Sequence, residues 1–258
     1  MKIIVLVKEV PDTYGDRKLV PETGLADRAA SEAVLDEIGE RSLEVALTYK
    51  DAHPDTEVIV LSMAPESATA TLRKGLAMGA TSVVHVADDS LAGADLGLTA
   101  EVLAAAITKT GYDLVITGNL STDGSGGVLP SMLAELLGVP LAGSLSSVEI
   151  SETGVTGVRL TDAGTIDLTT ALPAVIAITE SMPDARYPNF KGIMAAKKKP
   201  VVSMTAADLG IDPADQNVAR SIMLSVAEKP PRTAGTKIVD EGDAGQQLAD
   251  FLISNKLA

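Results

Sequence analysis

Residues 113–138 read DLVITGNLSTDGSGGVLPSMLAELLG, an apolar run, a glycine-rich loop and an amphipathic stretch in immediate succession. The run Asp113–Thr117 is apolar and β-branched at consecutive positions, the pattern of a strand buried on both faces. Of the thirteen residues 118–130, four are glycine. Glycine permits positive φ and lets backbone N–H groups approach a ligand, while the serines, Thr122 and Asn119 add donors. Such a loop is either a plain connector or, where a helix starts inside it, an anion cradle; SMLAELLG (131–138) supplies the helix. The loop is not a Walker A loop, because no Gly-Lys-Ser or Gly-Lys-Thr ends it, and it is not GxGxxG.

The same alternation extends back to the N-terminus. Apolar runs stand at IIVLV (3–7), EVIVLSM (57–63), SVVHV (82–86) and DLVIT (113–117), with amphipathic stretches between them at 35–50, 67–78, 96–109 and 127–137. In the first stretch Leu35, Ile38, Ser42, Ala46 and Tyr49 share one helical stripe, with Glu37, Glu40, Arg41, Glu44 and Lys50 largely elsewhere. This predicts an α/β fold: a parallel, doubly wound nucleotide-binding sheet with helices on both faces, joined by right-handed crossovers. Ligands of such sheets sit at the carboxyl ends of the strands, here VKEVPD, SMAPES and GNLSTDGSGG.

Beyond residue 140 the runs VEIS, VTGVRL, GTIDLTT and AVIAIT are short and divided by Gly, Asp or Glu, which predicts a β-rich, partly antiparallel extension. RYPNFKGIMAAKKKPV follows, then a polar tail with KPPRTAG and a last amphipathic stretch, GQQLADFLISN. Pro230-Pro231 breaks any helix there. The expected division is a nucleotide-binding domain over 1–200 and a C-terminal arm over 201–258 that embraces another chain.

Composition narrows the function. The chain has 258 residues, 46% of them hydrophobic, which is ample for a packed core. No run has the length of a membrane helix and Met1-Lys2 leads directly into an apolar strand, so a cytoplasmic protein is expected. It contains no cysteine and two histidines, His53 and His85, which leaves no thiolate chemistry and little for a metal centre. A net charge of −14 and an aromatic share of 2% argue against nucleic acid as partner.

Three further features invite a functional reading beside a plain one. Asp36, Glu37 and Glu40 are acids at a helix start, where they more often complement the helix dipole than transfer protons. Lys197-Lys198-Lys199 is either a solvated face or a docking surface in an acidic protein. His85 lies in an apolar strand as a packed or hydrogen-bonded residue. With no nucleophile or metal constellation, the chain does not read as a stand-alone enzyme.

The segments VLVKEVPD (5–12), DEIGERSLEVAL (36–47), LRKGLAMGA (72–80), GNLSTDGSGG (118–127), LPAVIAI (172–178), RYPNFKGIMAAKKKPV (186–201) and PPRTAG (230–235) together resemble the β subunit of electron transfer flavoprotein, over nearly the whole chain. The resemblance implies a heterodimer with a larger α subunit that holds most of the FAD. It also implies electron transfer from acyl-CoA and other flavin dehydrogenases, as in fatty acid oxidation, to a membrane quinone oxidoreductase. It further implies a structural AMP on this chain, held by Leu6, by Asp36, Glu37, Ile38 and Gly39, by Met63, and by Gly118, Ser121, Thr122, Asp123, Gly124, Ser125, Gly126, Gly127, Val128 and Leu129. The loop 185–197 corresponds to the segment that grips partner dehydrogenases, with Phe190 as apolar anchor, Arg186, Tyr187, Ile193 and Met194 around it, and Lys197 at its end. Tyr14 falls near the approach to the flavin.

Two departures from the family pattern bear on these expectations. In the β-subunit signature Arg159, Asp162 and Gly164 fit, whereas Ala163 and Ile166 replace a glycine or acidic position and the acid associated with flavin-domain docking. The nucleotide loop offers Thr122, Gly124, Ser125 and Gly127 where many relatives have more side-chain ligands. Two alternatives stay open: an electron-bifurcating subunit with a second FAD in place of AMP, and a free-standing adenine-nucleotide-binding protein.

Overall fold

The computed structural model describes residues 1–15, 17–215 and 217–257; Asp16, and Gln216 and Ala258 of the expected arm, lie outside the described residues. The chain runs β1 (Lys2–Leu6), β2 (Glu9–Pro11), β3 (Ala33–Leu35), α1 (Glu37–Ala52), β4 (Glu57–Met63), α2 (Thr69–Met78), β5 (Ser82–Val86), α3 (Leu96–Thr110), β6 (Leu114–Gly118) and α4 (Leu129–Leu137). There follow β7 (Leu141–Ile150), β8 (Gly154–Thr161), β9 (Gly164–Ala171), β10 (Ala174–Ile178), α5 (Phe190–Ala196), β11 (Val201–Met204) and α6 (Ala244–Ser254).

The elements begin and end where local chemistry requires it. At the start of α3 the Asp95 carboxylate accepts from the Leu98 amide at 2.8 Å, and Gly111 takes φ 75° after its last turn. Pro130 occupies the first turn of α4, where no amide hydrogen is needed, and Gly138 leaves it at φ 66°.

The main sheet has the order β11-β5-β4-β1-β6-β10-β7-β8-β9, parallel from β11 to β7 and antiparallel from β7 to β9. Alternate residues of β1 feed opposite faces. Ile3 and Val5 pack with Leu43, Leu47, Leu72 and Leu76 of α1 and α2, and Ile4 and Leu6 with Val102, Ile107 and Leu133 of α3 and α4. Burying each such side chain contributes roughly 1.5–3 kcal/mol, so the doubly covered sheet is the main source of stability. The doubly wound α/β arrangement read from the sequence is therefore the one observed, with β7–β9 as its β-rich extension.

Two features depart from the reading by periodicity. β2 and β3 form a small antiparallel pair, Glu9↔Leu35 to Pro11↔Ala33, that folds the segment after β1 back onto the start of α1. Three-residue strands carry too few alternations to register as periodic. Val201–Met204, expected from the sequence in the arm, lies beside β5 as an edge strand. The first compact unit runs from Met1 to Leu224 and the second from Ser225 to the C-terminus. In the second unit, α6 places Leu248, Phe251 and Leu252 at helical spacings of three and four.

Candidate functional site

The chain steps from β1 outward to β4 and β5 on one side, then returns to place β6 on the other side of β1. This is the topological switch point of the sheet: the segments after β1 and β6 lead to helices on opposite faces, and sheets of this class take ligands in the crevice beyond the carboxyl ends of such strands. Leu6 ends β1, Gly118 ends β6, and Met63 ends β4 one strand further along. Asp36 precedes α1, whose first turn is Glu37, Ile38 and Gly39. Ser121–Val128 form the loop and Leu129 opens α4. All the residues expected at a nucleotide site thus lie on this one end of the sheet.

Close packing sets the walls of the crevice. A Cβ on Gly118 would stand 2.5 and 2.7 Å from Cγ1 and Cγ2 of Ile38, and one on Gly39 would stand 3.3 Å from the Val7 Cα. The helix start therefore approaches the two central strands only because both positions are glycine. Asp36 joins the two walls: its backbone N–H donates to the Lys8 carbonyl at 2.9 Å, and its Oδ2 accepts from the Thr122 amide at 2.9 Å.

Lys8 lies opposite. Its Nζ is 2.7 Å from Asp123 Oδ1 and 3.4 Å from Ser121 Oγ, and the Arg17 guanidinium donates to the Thr122 carbonyl. Burial pushes the Asp123 carboxyl up, but the hydrogen bond and charge of Lys8 outweigh it and hold the group below its ordinary range. Burial wins at Asp36: its carboxyl is held above the ordinary range despite the hydrogen bond from the Thr122 amide, and the Asp123 charge adds to the rise.

Three observations bear on whether the crevice suits a nucleotide. Asp36 Oδ1 and Thr122 Oγ1 are buried and meet no hydrogen-bond partner among the described residues, so each can serve a hydroxyl or amine from outside the chain. The amides of Gly126, Gly127 and Val128 donate to no acceptor among the described residues, and they lead directly into the N-terminus of α4, the positive end of its dipole. Ser125 at φ 49° and Gly127 at φ 66° turn this stretch, the former in a conformation that a side chain disfavours by about 1–2 kcal/mol. Unpaired donors at the start of α4 and buried, unpartnered oxygens of Asp36 and Thr122 at the same end of the sheet are the groups a nucleoside phosphate uses.

Two shallow depressions lie elsewhere. One, of about 530 Å³, is lined by Tyr49, His53, Asp113 and Glu152 at the amino-terminal end of the sheet; a smaller one includes Asp51 and Arg186.

The other acidic and basic features are occupied structurally. Glu40 pairs with Lys74, and Glu37 is exposed. His85 is buried, with Nε2 3.0 Å from the Ala64 carbonyl and Nδ1 3.3 Å from Thr69 Oγ1. Lys199 Nζ donates to the Leu76 and Ala80 carbonyls at 3.0 and 2.6 Å, where it caps the negative end of α2, while Lys197 and Lys198 are exposed. Arg159 is turned inward, its Nε donating to the Gly143 carbonyl at 2.7 Å, and pairs across strands with Ile166.

A second cluster surrounds α5. Tyr187 is 93% exposed and Phe190 79%, with Ile193 and Met194 half-exposed beside them. Asn189 caps the helix, its Oδ1 accepting from the Gly192 amide at 2.8 Å, and a side chain at Gly192 would collide with the Ala77 carbonyl of α2. An aromatic side chain left in water on a fixed backbone is the composition of an interface anchor. Tyr14 is fully exposed in the loop after β2.

Arg186 stands apart from these exposed neighbours. Its Nε is 3.1 and 2.8 Å from the two Glu44 carboxylate oxygens, its Nη2 is 2.8 Å from Glu44 Oε1 and from Asp51 Oδ2, and its amide donates to Glu44 Oε2 at 3.0 Å. Burial pushes the Glu44 carboxyl up, but these bonds and the Arg186 charge outweigh it and lower the value below the ordinary range. A lowered acid stabilises the fold above its unfolded pKa and loses that contribution as pH falls through the folded value. The Arg186 amide is accordingly expected to keep a constant protection factor, corrected for intrinsic exchange, from neutral pH to about 5, and to lose protection only below about 4.3, the unfolded glutamate value. Loss of protection already between pH 7 and pH 5 contradicts this.

Lys8, Arg17, Arg41, Glu44 and Asp51 are site residues that sequence reasoning does not single out. Only the adjacency of Lys8 to the end of β1 is a usable signal; the rest act on partners far away in sequence.

A family model for the electron transfer flavoprotein domain matches residues 23–209. The chain is 44% identical over 262 residues to the electron transfer flavoprotein subunit beta of Mycobacterium tuberculosis, with 99% of this chain and 98% of the relative covered, and equally so to that of Mycobacterium leprae. It is 31% identical over 256 residues to the caffeyl-CoA reductase-Etf complex subunit CarD of Acetobacterium woodii, covering 98% of this chain and 97% of the relative. Among the described residues no helix is long and apolar enough to cross a membrane.

Proposed function

The chain belongs to the electron transfer flavoprotein family, as a β subunit, and from that premise we propose that it is the nucleotide-holding, dehydrogenase-docking half of a heterodimer with an α subunit. In this reading AMP sits in the switch-point crevice. The amides of Gly126, Gly127 and Val128 hold the phosphate at the start of α4, Asp36 Oδ1 accepts from a hydroxyl or amine of the nucleoside, and Lys8 balances Asp123. The observation that carries the reading is that unpaired loop amides at the start of α4 and a buried, unpartnered carboxylate oxygen before α1 stand at the same end of the sheet.

FAD, held mainly by the α subunit, supplies the one-electron carriage between flavin dehydrogenases and a quinone oxidoreductase. The side chains of the β subunit bind, support and dock. Tyr187, Phe190, Ile193, Met194 and Lys197 form the surface offered to dehydrogenases, Tyr14 faces the approach to the flavin, and the segment ending in α6 packs on the α subunit. Burying a phosphate against preformed amides stabilises the folded chain by mass action without any reaction at the site.

The test is the nucleotide content of the co-purified heterodimer, released by denaturation and separated by chromatography. One FAD and one AMP per heterodimer are expected. Two FAD and no AMP would move the chain to the electron-bifurcating type, and nucleotide bound to the isolated chain with no α-subunit association would make it a free-standing nucleotide-binding protein.

A further inference from the structure

The exposed aromatic surface rides on an irregular stretch, residues 179–189 between β10 and α5, that side chains of α1 hold at both ends. Arg41, Glu44 and Asp51 lie on one face of α1, spaced by three and by seven residues. Arg41 donates to the Met182 carbonyl and to Asp184 at the start of the stretch. Glu44 and Asp51 take Arg186 near its end, in an arrangement that occupies Nε, Nη2 and the backbone amide together. Only Nη1 of the guanidinium is left without a partner among the described residues. Further along, Arg73 donates to the Ala196 carbonyl at 3.1 Å.

We propose that Arg186 is a positioning residue: clamped by Glu44 and Asp51 of α1, it orders the stretch so that Tyr187 and Phe190 are already in place when a dehydrogenase arrives. This rests on the reading of residues 185–197 as the docking surface, and it reassigns Arg186 from contact with the partner to contact with its own helix. A planar fork gripping a carboxylate at two points fixes direction as well as distance, which a lysine at 186 does not reproduce. Ordering a loop in advance removes an entropy cost that binding otherwise bears, so the clamp acts on affinity while making no contact with the partner.

The experiment uses the flavin-loaded heterodimer as electron acceptor of an acyl-CoA dehydrogenase, with Glu44→Gln, Arg186→Gln, the two combined, and Asp51→Asn as a milder fourth variant. Glu44→Gln is expected to raise KM about ten-fold, the equivalent of roughly one residue's backbone ordering, with the effect on KM rather than kcat. Arg186→Gln is expected to do the same, the double variant to be no worse than either, and Asp51→Asn to give a smaller rise, because one arm of the clamp remains. Hydrogen exchange over 182–190 should quicken in every variant that raises KM. Arg186→Gln raising KM while Glu44→Gln does not overturns the clamp and returns Arg186 to direct contact. A silent Phe190→Asp in the same assay overturns the docking surface itself, whereas an effective Phe190→Asp beside silent Glu44→Gln and Asp51→Asn overturns only the clamp.

Discussion

Replacing Phe190 with aspartate leaves the heterodimer folded and its flavin content unchanged, and lowers electron uptake from a flavin dehydrogenase by about thirty-fold or more. The size follows from what Phe190 is. At 79% exposed it contributes little to the core, so removing its ring costs the fold almost nothing. As the apolar centre of the proposed docking surface it would have the position of an interface hot spot, where truncation costs about 2 kcal/mol or more, roughly thirty-fold in affinity. A carboxylate adds the penalty of desolvating a charge in the partner's groove. Aspartate is also tolerated next to Asn189 at the start of α5, because an acid in a first turn complements the helix dipole. The checks are thermal unfolding, flavin absorbance and dehydrogenase-coupled reduction. Equal reduction rates for variant and parent at limiting complex would remove the docking assignment.

A larger effect on the fold itself is expected at Gly118. Alanine there places a methyl group 2.5 and 2.7 Å from both γ carbons of Ile38 and 3.1 Å from its Cβ. Ile38 is β-branched and sits in the first turn of α1, so it has little rotamer freedom with which to move aside. The end of β6 and the start of α1 must separate. Overpacking of this kind costs about 1–3 kcal/mol, which for a chain of this size lowers Tm by about 2–4 °C per kcal/mol. Because Asp36 and Thr122 meet across the same gap, the crevice widens, and the co-purified nucleotide is expected to fall well below one per heterodimer. Gly245→Ala is the control: a methyl group meets nothing within 4 Å in α6, and alanine is the better helix former. An unchanged Tm with full nucleotide in Gly118→Ala would show that the close approach is dispensable.

Much of this site is legible in the amino-acid sequence. The loop 118–130 advertises itself by glycine content, the strand before it by unbroken apolarity, and the helix after it by a clear apolar stripe. Neighbouring residues carry those signals, and they fall where the sheet has its switch point. The counter-charges do not advertise themselves. Lys8 and Asp123 are 115 residues apart, and nothing in VKEVPD marks its lysine as the partner of that aspartate. Nor does Arg186: the resemblance sets it beside exposed Tyr187 and Phe190 in the recognition loop, and nothing in its neighbours announces the hydrogen bonds to Glu44, 142 residues earlier.

By itself the sequence determined the alternation of strands and helices, the doubly covered sheet, the β-rich extension and the glycine loop, because periods of 2 and 3.6 are set by each residue's near neighbours. Tertiary structure decided which strands stand side by side, that Val201–Met204 joins the sheet beside β5, that β2 and β3 fold the first loop back on α1, and which carboxylate holds which cation. Pairings across a hundred residues or more depend on where strand order brings the ends of elements together. A charge has no periodicity to announce its partner, so only the assembled sheet assigns Lys8 to the crevice and Arg186 to the helix.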